Sequence, residues 1–436
     1  MATAFHKLQG AGGLGGDHWI ALLGGANNDI LDGAATDSLD NIVVVGYTES
    51  DGAGERDLLI SKYDPSGVLL WAKILGGSFG EEGRGVTIDS SDNIIVGGYT
   101  ASDGAGSTDF LLAKYNSSGT LLWDKTLGSS FSETANGVAT DSLDNIVIVG
   151  SSAFSGGSSE FLIAKYNSSG TLLWNKALGG SGNEVAYGVA IDSSDNIIVT
   201  GFTFSDGAGG SDLLVAKYNS SGTLLWDKTL GGGSTDQGRS VAVDSSGNIV
   251  IGGYTNSDGA GLYDFLLAKY NSSGTLLWDK TLGGSDNEFS YGVAIDSLDN
   301  IVVVGYTESD GAGNPDCLVA KYDSSGTLLW DKTLGGSGGD FGAGVAIDSS
   351  DNIIVVGTTS SDGAGNIDCL VAKLPPDGTG DGTYGGLTYQ DAVLTDAAAV
   401  LTDAAAVLTD SSPSLTDATA VLTDAVVVLT EEFFPI

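Results

Sequence analysis

Short unbroken runs of apolar residues recur along the chain, separated by stretches rich in Gly, Ser, Asp and Asn. From Gly292 the order is GVAID, SLDN, IVVVGYT, ESDGAGNPD, CLVAKY, DSSG, TLLWDKTL and GGSGGDFGAG. The apolar runs are short and rich in β-branched residues, so they are expected as strands. SLDN and DSSG carry residues that make Asx-type turns. Apolar positions run on rather than alternate, which requires both faces of each sheet to be buried.

The pattern has a long period. Trp19, Trp71, Trp123, Trp174, Trp226, Trp278 and Trp330 stand 52, 52, 51, 52, 52 and 52 residues apart. Asp37, Asp89, Asp141, Asp192, Asp244, Asp296 and Asp348 keep the same spacing, most of them ending a phrase like VAID. Seven units of four strands each indicate a ring of sheets packed face to face. The ends support closure. HWIALL, which contains Trp19, matches the fourth strand of a unit, and the last unit stops after its third strand, Asp368–Leu374. The expected fold is all-β: a seven-bladed β-propeller with four-stranded blades, closed by the N-terminal strand completing the last blade. The expected organisation is an arm over 1–16, the propeller over 17–374, a Gly/Pro linker over 375–392 and a repeat tail over 393–436.

The LLAKY, GTLLW, LGG, GVAID and NIIVVG phrases resemble the seven-bladed β-propeller repeat family of bacteria and archaea abbreviated SBBP, over about Asp17 to Leu374. DSSGNIVIGG, near Asp244, is similar to the NHL propeller repeat. The resemblance implies the fold. It says little of function, beyond frequent occurrence in secreted or surface proteins.

Strands and tight turns hardly change between copies, whereas two longer loops do, and in a propeller both emerge on one face. The three arginines, Arg56, Arg84 and Arg239, fall in these loops, as do Phe79, Phe131, Tyr187, Tyr263, Phe289, Tyr291 and Phe341. Arg and aromatic residues are typical interface anchors, so this rim is the candidate ligand face. The alternative is that the aromatics plug gaps between blades. Eight residues before each marker Asp stands an acid: Asp29, Glu81, Glu133, Glu184, Asp236, Glu288 and Asp340. These carboxylates either accept loop N–H groups or form a ring that attracts cations. The marker Asp residues either start Asx turns or form an acidic ring at the channel end. The SDGAG loops pair acids such as Asp51 with Asp57 and Asp310 with Asp316. They lack the dense oxygen ligands of a calcium loop, and a turn whose glycines take positive φ fits them better.

Net charge of −39 argues against nucleic-acid binding, which needs clustered Lys and Arg. Two cysteines, Cys317 and Cys369, give no disulfide framework and read as small core residues. No apolar run reaches the length of a membrane span. The N-terminus lacks the apolar core of a secretory signal. The only histidines, His6 and His18, precede the first full repeat. No metal or cofactor is called for, no catalytic residue stands out, and the chain reads as no enzyme.

After Leu374 a shorter refrain begins. Leu394, Leu401, Leu408, Leu415, Leu422 and Leu429 are seven apart, each followed by Thr. A heptad suggests a helix, but Pro413 opposes one and the tail has no Lys or Arg for charge pairing. VLT could instead form short strands with DAAA turns. The tail, with Phe433 and Phe434 as an apolar anchor, is expected to self-associate or dock on a structural partner. The sequence thus favours a structural or adhesive module on a cell surface, extracellular filament or virion. A lectin-like propeller that binds a glycan or protein through the variable face is the alternative.

Overall fold

The computed structural model describes the backbone of residues 3–8, 18–153, 157–313, 315–406, 408–411, 416–418, 423–426 and 429–431, and side chains in 18–153, 157–313, 315–406 and 408. Leu415, Leu422, Phe433 and Phe434 lie outside the described residues, and Leu429 is described in its backbone alone. Blade one comprises Asp29–Thr36, Ile42–Thr48, Asp57–Tyr63 and Leu69–Gly76, antiparallel throughout. Blades two to six repeat it, their innermost strands starting at Glu81, Glu133, Glu184, Asp236 and Glu288. Blade seven comprises Asp340–Ile347, Ile353–Thr359 and Asp368–Leu374, with Trp19–Gly24 as its fourth strand. The expected closure is therefore present.

The middle two strands of a blade are buried on both faces because each blade packs against two neighbours. Val43, Val45, Leu58 and Ile60 of blade one form one core with Ile94, Val96, Leu111 and Ala113 of blade two. Each such side chain contributes about 1.5–3 kcal/mol relative to exposure. Cys317 and Cys369 sit in these cores as free thiols.

Three repeated contacts lock adjacent blades on the face of the tight turns. The Trp174 ring lies over Gly222 in the turn of the next blade, so close that a Cβ there would stand 3.0 Å from it, and Gly222 has φ +79°. Hence the turn ends in Gly. Lys217 Nζ forms a buried ion pair with Asp192 at 2.8 Å and donates to the Ser272 carbonyl of the following blade at 3.2 Å. Lys373 pairs likewise with Asp348 and donates to the Pro65 carbonyl, across the closure. Asp92, held at φ +59°, accepts from Ser38 of the preceding blade. The marker Asp residues are thus turn formers and lysine partners: Asp192 Oδ1 also accepts from the Ser194 and Asn196 amides.

The C-terminal refrain is neither a helix nor an intermolecular strand here. It is a belt around the chain's own ring. Leu387–Asp391 pairs with the outer strand of blade six, Thr395–Ala398 with blade five and Thr402–Ala405 with blade four. Thr409–Ser411, Thr416–Ala418 and Thr423–Val426 follow on blades three, two and one. On blade seven the fifth strand is Thr3–Leu8, within the expected arm, and Leu429–Glu431 pairs with it in parallel. Strands form over Thr-Asp-Ala-Ala, and the steps between blades fall on Val-Leu, the reverse of the expected assignment. The expected linker over 375–392 holds the hairpin Gly382–Tyr384 and Leu387–Asp391, with Tyr384, Leu387 and Tyr389 buried.

The heptad's chemistry matches the rim. Thr395 and Thr402 stand opposite Gly283 and Gly231 of the LGG phrases. Leu394, Leu401 and Leu408 come within 3.3–3.5 Å of where a Cβ would sit on Gly284, Gly232 and Gly180. The second Gly of LGG therefore leaves room for the belt leucine. Positive charge absent from the tail comes from the ring: Lys280 reaches Asp396 at 3.4 Å, and Lys332 reaches Asp391 at 2.5 Å. SDGAG acids hold the belt backbone, since Asp310 accepts from the Val393 amide and Asp258 from the Val400 amide, both at 2.6 Å.

Candidate functional site

In each blade one position that varies between the copies lines the central channel. In every innermost strand the register with the second strand skips one residue, a β-bulge, for example between Leu31 and Gly33 and between Gly238 and Ser240. A bulge turns the extra side chain away from the alternation of its strand. Here it lines a cavity of about 170 Å³ between the innermost strands of the seven blades. The bulged residues are Asp32, Arg84, Asn136 and Tyr187 in blades one to four, then Arg239, Tyr291 and Ala343. Equivalent places on near-identical walls thus carry two cations, an acid, an amide, two phenols and a methyl group.

This corrects the expected placement of Arg84, Arg239, Tyr187, Tyr291, Phe289 and Phe341. They stand on innermost strands, not in loops, because each strand begins at the preceding acid, as in Glu288–Ile295. The bulge interrupts the strand pattern, so the first half of the strand reads as loop. Arg56 and Tyr263 do lie in the loops between second and third strands. Phe79 and Phe131 stand apart in inter-blade loops, 59% and 41% exposed. Asp32, Asn136, Glu82, Gln237 and Tyr254 are site residues that the sequence reading missed.

The mouth has two unlike halves. Around blades one and two, buried Glu82 accepts from Arg56 Nη1 at 2.6 Å and from Arg84 Nη2 at 2.8 Å. Burial alone would push the Glu82 carboxyl up, but Arg84, Tyr99 and Arg56 hold it below its ordinary value. Asp32 is pushed up to about 6 by burial, offset in part by Arg84 and reinforced by Glu82. From blade four to blade seven the wall is aromatic. Tyr187 meets Phe202 with ring centroids 6.0 Å apart, and Tyr254 meets Phe289 at 4.7 Å. Tyr306 joins Phe289 at 5.3 Å and Phe341 at 4.9 Å. The Arg239 guanidinium lies 3.9 Å from the Tyr187 ring centre and 5.2 Å from that of Tyr254.

The acids that open the innermost strands are not part of this surface. Asp236 is buried and accepts from the Gly232 amide and the Thr255 and Ser257 hydroxyls. They tie the inter-blade loop to the end of the second strand, as the structural reading expects.

Burial makes stability depend on pH. Asp32, Asp212, Asp316 and Asp331 are raised to about 6, each mainly by burial. A carboxyl with a raised folded value binds its proton more tightly when folded, so stability is gained as pH falls from about 6 towards the unfolded value near 4. Asp37 and Asp192 are held low, against burial, by lysine and turn hydrogen bonds. Their stabilisation is lost below about pH 4. Thermal unfolding between pH 3 and 8 is expected to show its highest midpoint at about pH 5, and Asp32→Asn should remove its share of the acid-side gain while Asp212, Asp316 and Asp331 keep theirs. A midpoint that declines steadily from pH 7 to 5 would contradict this.

Comparison with known proteins agrees with the fold. The SBBP β-propeller repeat profile matches residues 228–259. A β-propeller domain of unknown function, DUF5122, matches 90–121, 144–172 and 245–276. An uncharacterized WD repeat-containing protein of Acanthamoeba polyphaga mimivirus is 23% identical over 78% of this chain and 36% of its own length. The regulatory protein FlaEY of Caulobacter vibrioides is 24% identical over 54% of this chain and 31% of its own. The chain therefore spans about a third of the length of these curated relatives. Among solved structures, the WD40 β-propeller domain of Doa1 superposes with a TM-score of 0.50 at 15% identity, covering 80% of this chain and 95% of that one. By its architecture the chain is a seven-bladed β-propeller, and one stretch of it matches the SBBP repeat profile.

Proposed function

We propose that the protein is a non-enzymatic binding propeller that takes a small ligand, or one end of a larger one, at the channel mouth. One observation carries this reading. On a scaffold whose walls barely differ, the bulge position lines the channel and varies between blades. A purely structural ring has no need of Arg84, Asn136, Tyr187 and Arg239 at equivalent places. The aromatic wall suits the flat face of a ring, and the polar residues fix its orientation, the usual division of labour in a ligand pocket. The alternative of a structural module assembled through its tail loses support, because the tail strands pair with their own ring.

The test is retention on an array of immobilised neutral and acidic oligosaccharides, wild type against Asn136→Ala/Tyr187→Ala. We expect capture by a subset of glycans and at least about tenfold weaker capture by the double variant at a temperature where its melting shows it to be folded. Equal capture of both proteins, or none by wild type, would overturn the reading.

A further inference from the structure

The channel mouth contains a cation with no anion. Arg56 and Arg84 both end on Glu82. Lysines such as Lys217 and Lys332 have acid partners. Arg239 is different. Its Nη2 donates to the Gln237 amide oxygen at 3.2 Å and the Tyr254 hydroxyl at 2.9 Å, both neutral. Its Nε is buried and has no hydrogen-bond partner. Among the described residues no carboxylate lies within ion-pair distance of it, in a chain with 56 acidic residues. The charge is instead boxed by the rings of Tyr187, Tyr254 and Tyr291, at 3.9, 5.2 and 5.6 Å.

A guanidinium half withdrawn from water costs free energy unless a counter-charge meets it. Cation–π contacts offset part of that cost and fix the group's plane. The Tyr box thus holds a preorganised guanidinium without a counter-charge, and a carboxylate is a natural complement to it. Charge count sets the valence. On the other side of the mouth Arg56 and Arg84 are already answered by Glu49, Glu82 and Asp32. Among the described residues of the mouth, Arg239 is the arginine left without a counter-charge, and the acids opposite favour a monoanion over a doubly charged phosphate.

We propose that Arg239 anchors a ligand carrying a single carboxylate on a ring, an acidic sugar being the class that fits the aromatic wall and the Asn136 amide together. This deepens the binding reading and rests on it.

The experiment uses the full chain and four probes: glucuronate, glucose, glucose 6-phosphate and benzoate. Thermal shift and titration calorimetry are run on wild type, Arg239→Gln and Arg239→Lys, with each variant's ligand-free melting as the folding control. Glucuronate should bind wild type at least about tenfold more tightly than glucose or glucose 6-phosphate, and Arg239→Gln should abolish the difference. Arg239→Lys keeps the charge without the planar guanidinium and should fall between; it also serves if Arg239→Gln does not fold. Benzoate binding as tightly as glucuronate would keep the carboxylate anchor and overturn the sugar class. Glucose binding as well as glucuronate, or glucuronate binding unaltered in both variants, would overturn the anchor. The binding reading would then still be decided by the Asn136→Ala/Tyr187→Ala pair. Absence of binding by all four probes would overturn the inference.

Discussion

Deleting residues 387–436 is expected to lower the unfolding midpoint by about 5–10 °C and to make the remaining ring associate. The belt adds an outer strand to blades one to six and covers the strand Thr3–Leu8 on blade seven. Among the described residues a heptad packs a Leu and an Ala against the ring, such as Leu401 and Ala399 against blade four and its neighbour. Apolar burial and backbone hydrogen bonds of that kind are offset in large part by the ordering of the tail. A small net gain per heptad, repeated around the ring, gives the expected shift for a chain of this size. Deletion also uncovers outer strands with free N–H and C=O groups, which pair with other chains. Calorimetry with light scattering decides the matter. A tail that served assembly between chains would behave in the opposite way: its loss would leave melting unchanged and convert oligomers to monomers.

Lys217→Met is expected to destabilise the ring by about 3–5 kcal/mol, the usual consequence of leaving one member of a buried pair without its partner. Lys217 and Asp192 have 4% and 8% of their side-chain surface exposed, so water replaces little of the lost contact. The bond from Lys217 to the Ser272 carbonyl of blade five is lost as well. Adding Asp192→Asn should restore more than half of the loss, because a neutral amide can still accept from the Ser194 and Asn196 amides that Asp192 caps. Urea unfolding of the two single variants and the double variant measures this as a coupling energy. If the double variant is as unstable as the two losses added together, the buried pair is not what joins the blades there.

Much of the fold was legible because the repeat states it seven times. Trp spacing gave the period, the continuous apolar runs gave sheets buried on both sides, and the complementary ends gave ring closure. The binding mouth was legible only as a collection of unusual residues. Arg84, Tyr187 and Arg239 stood out by type, but their strands were read as loops because one bulged residue breaks the apolar run. Asp32, Asn136 and Glu82 were passed over because they are ordinary polar residues in Gly-rich surroundings. Aligning the copies on the acids at 29, 81, 133 and onward brings Asp32, Arg84, Asn136 and their counterparts into one column, and that signal was available.

The tail divides the two sources of information most sharply. Its heptad was plain in the sequence: Leu, Thr and Asp at fixed spacing, with no cation. That pattern determines a regular apolar stripe needing an apolar and cationic surface, but local pattern does not say whose. Only the tertiary structure decides it, because the complementary features lie far away in the chain. Gly232 and Gly284 leave room for Leu401 and Leu394, Lys280 answers Asp396, and Asp258 and Asp310 accept the belt amides. They meet the tail only once the ring has closed and set its outer edges one heptad apart. In the same way the sequence determined which side chains fill the bulges, and the closed ring alone turned them toward one another around a common axis.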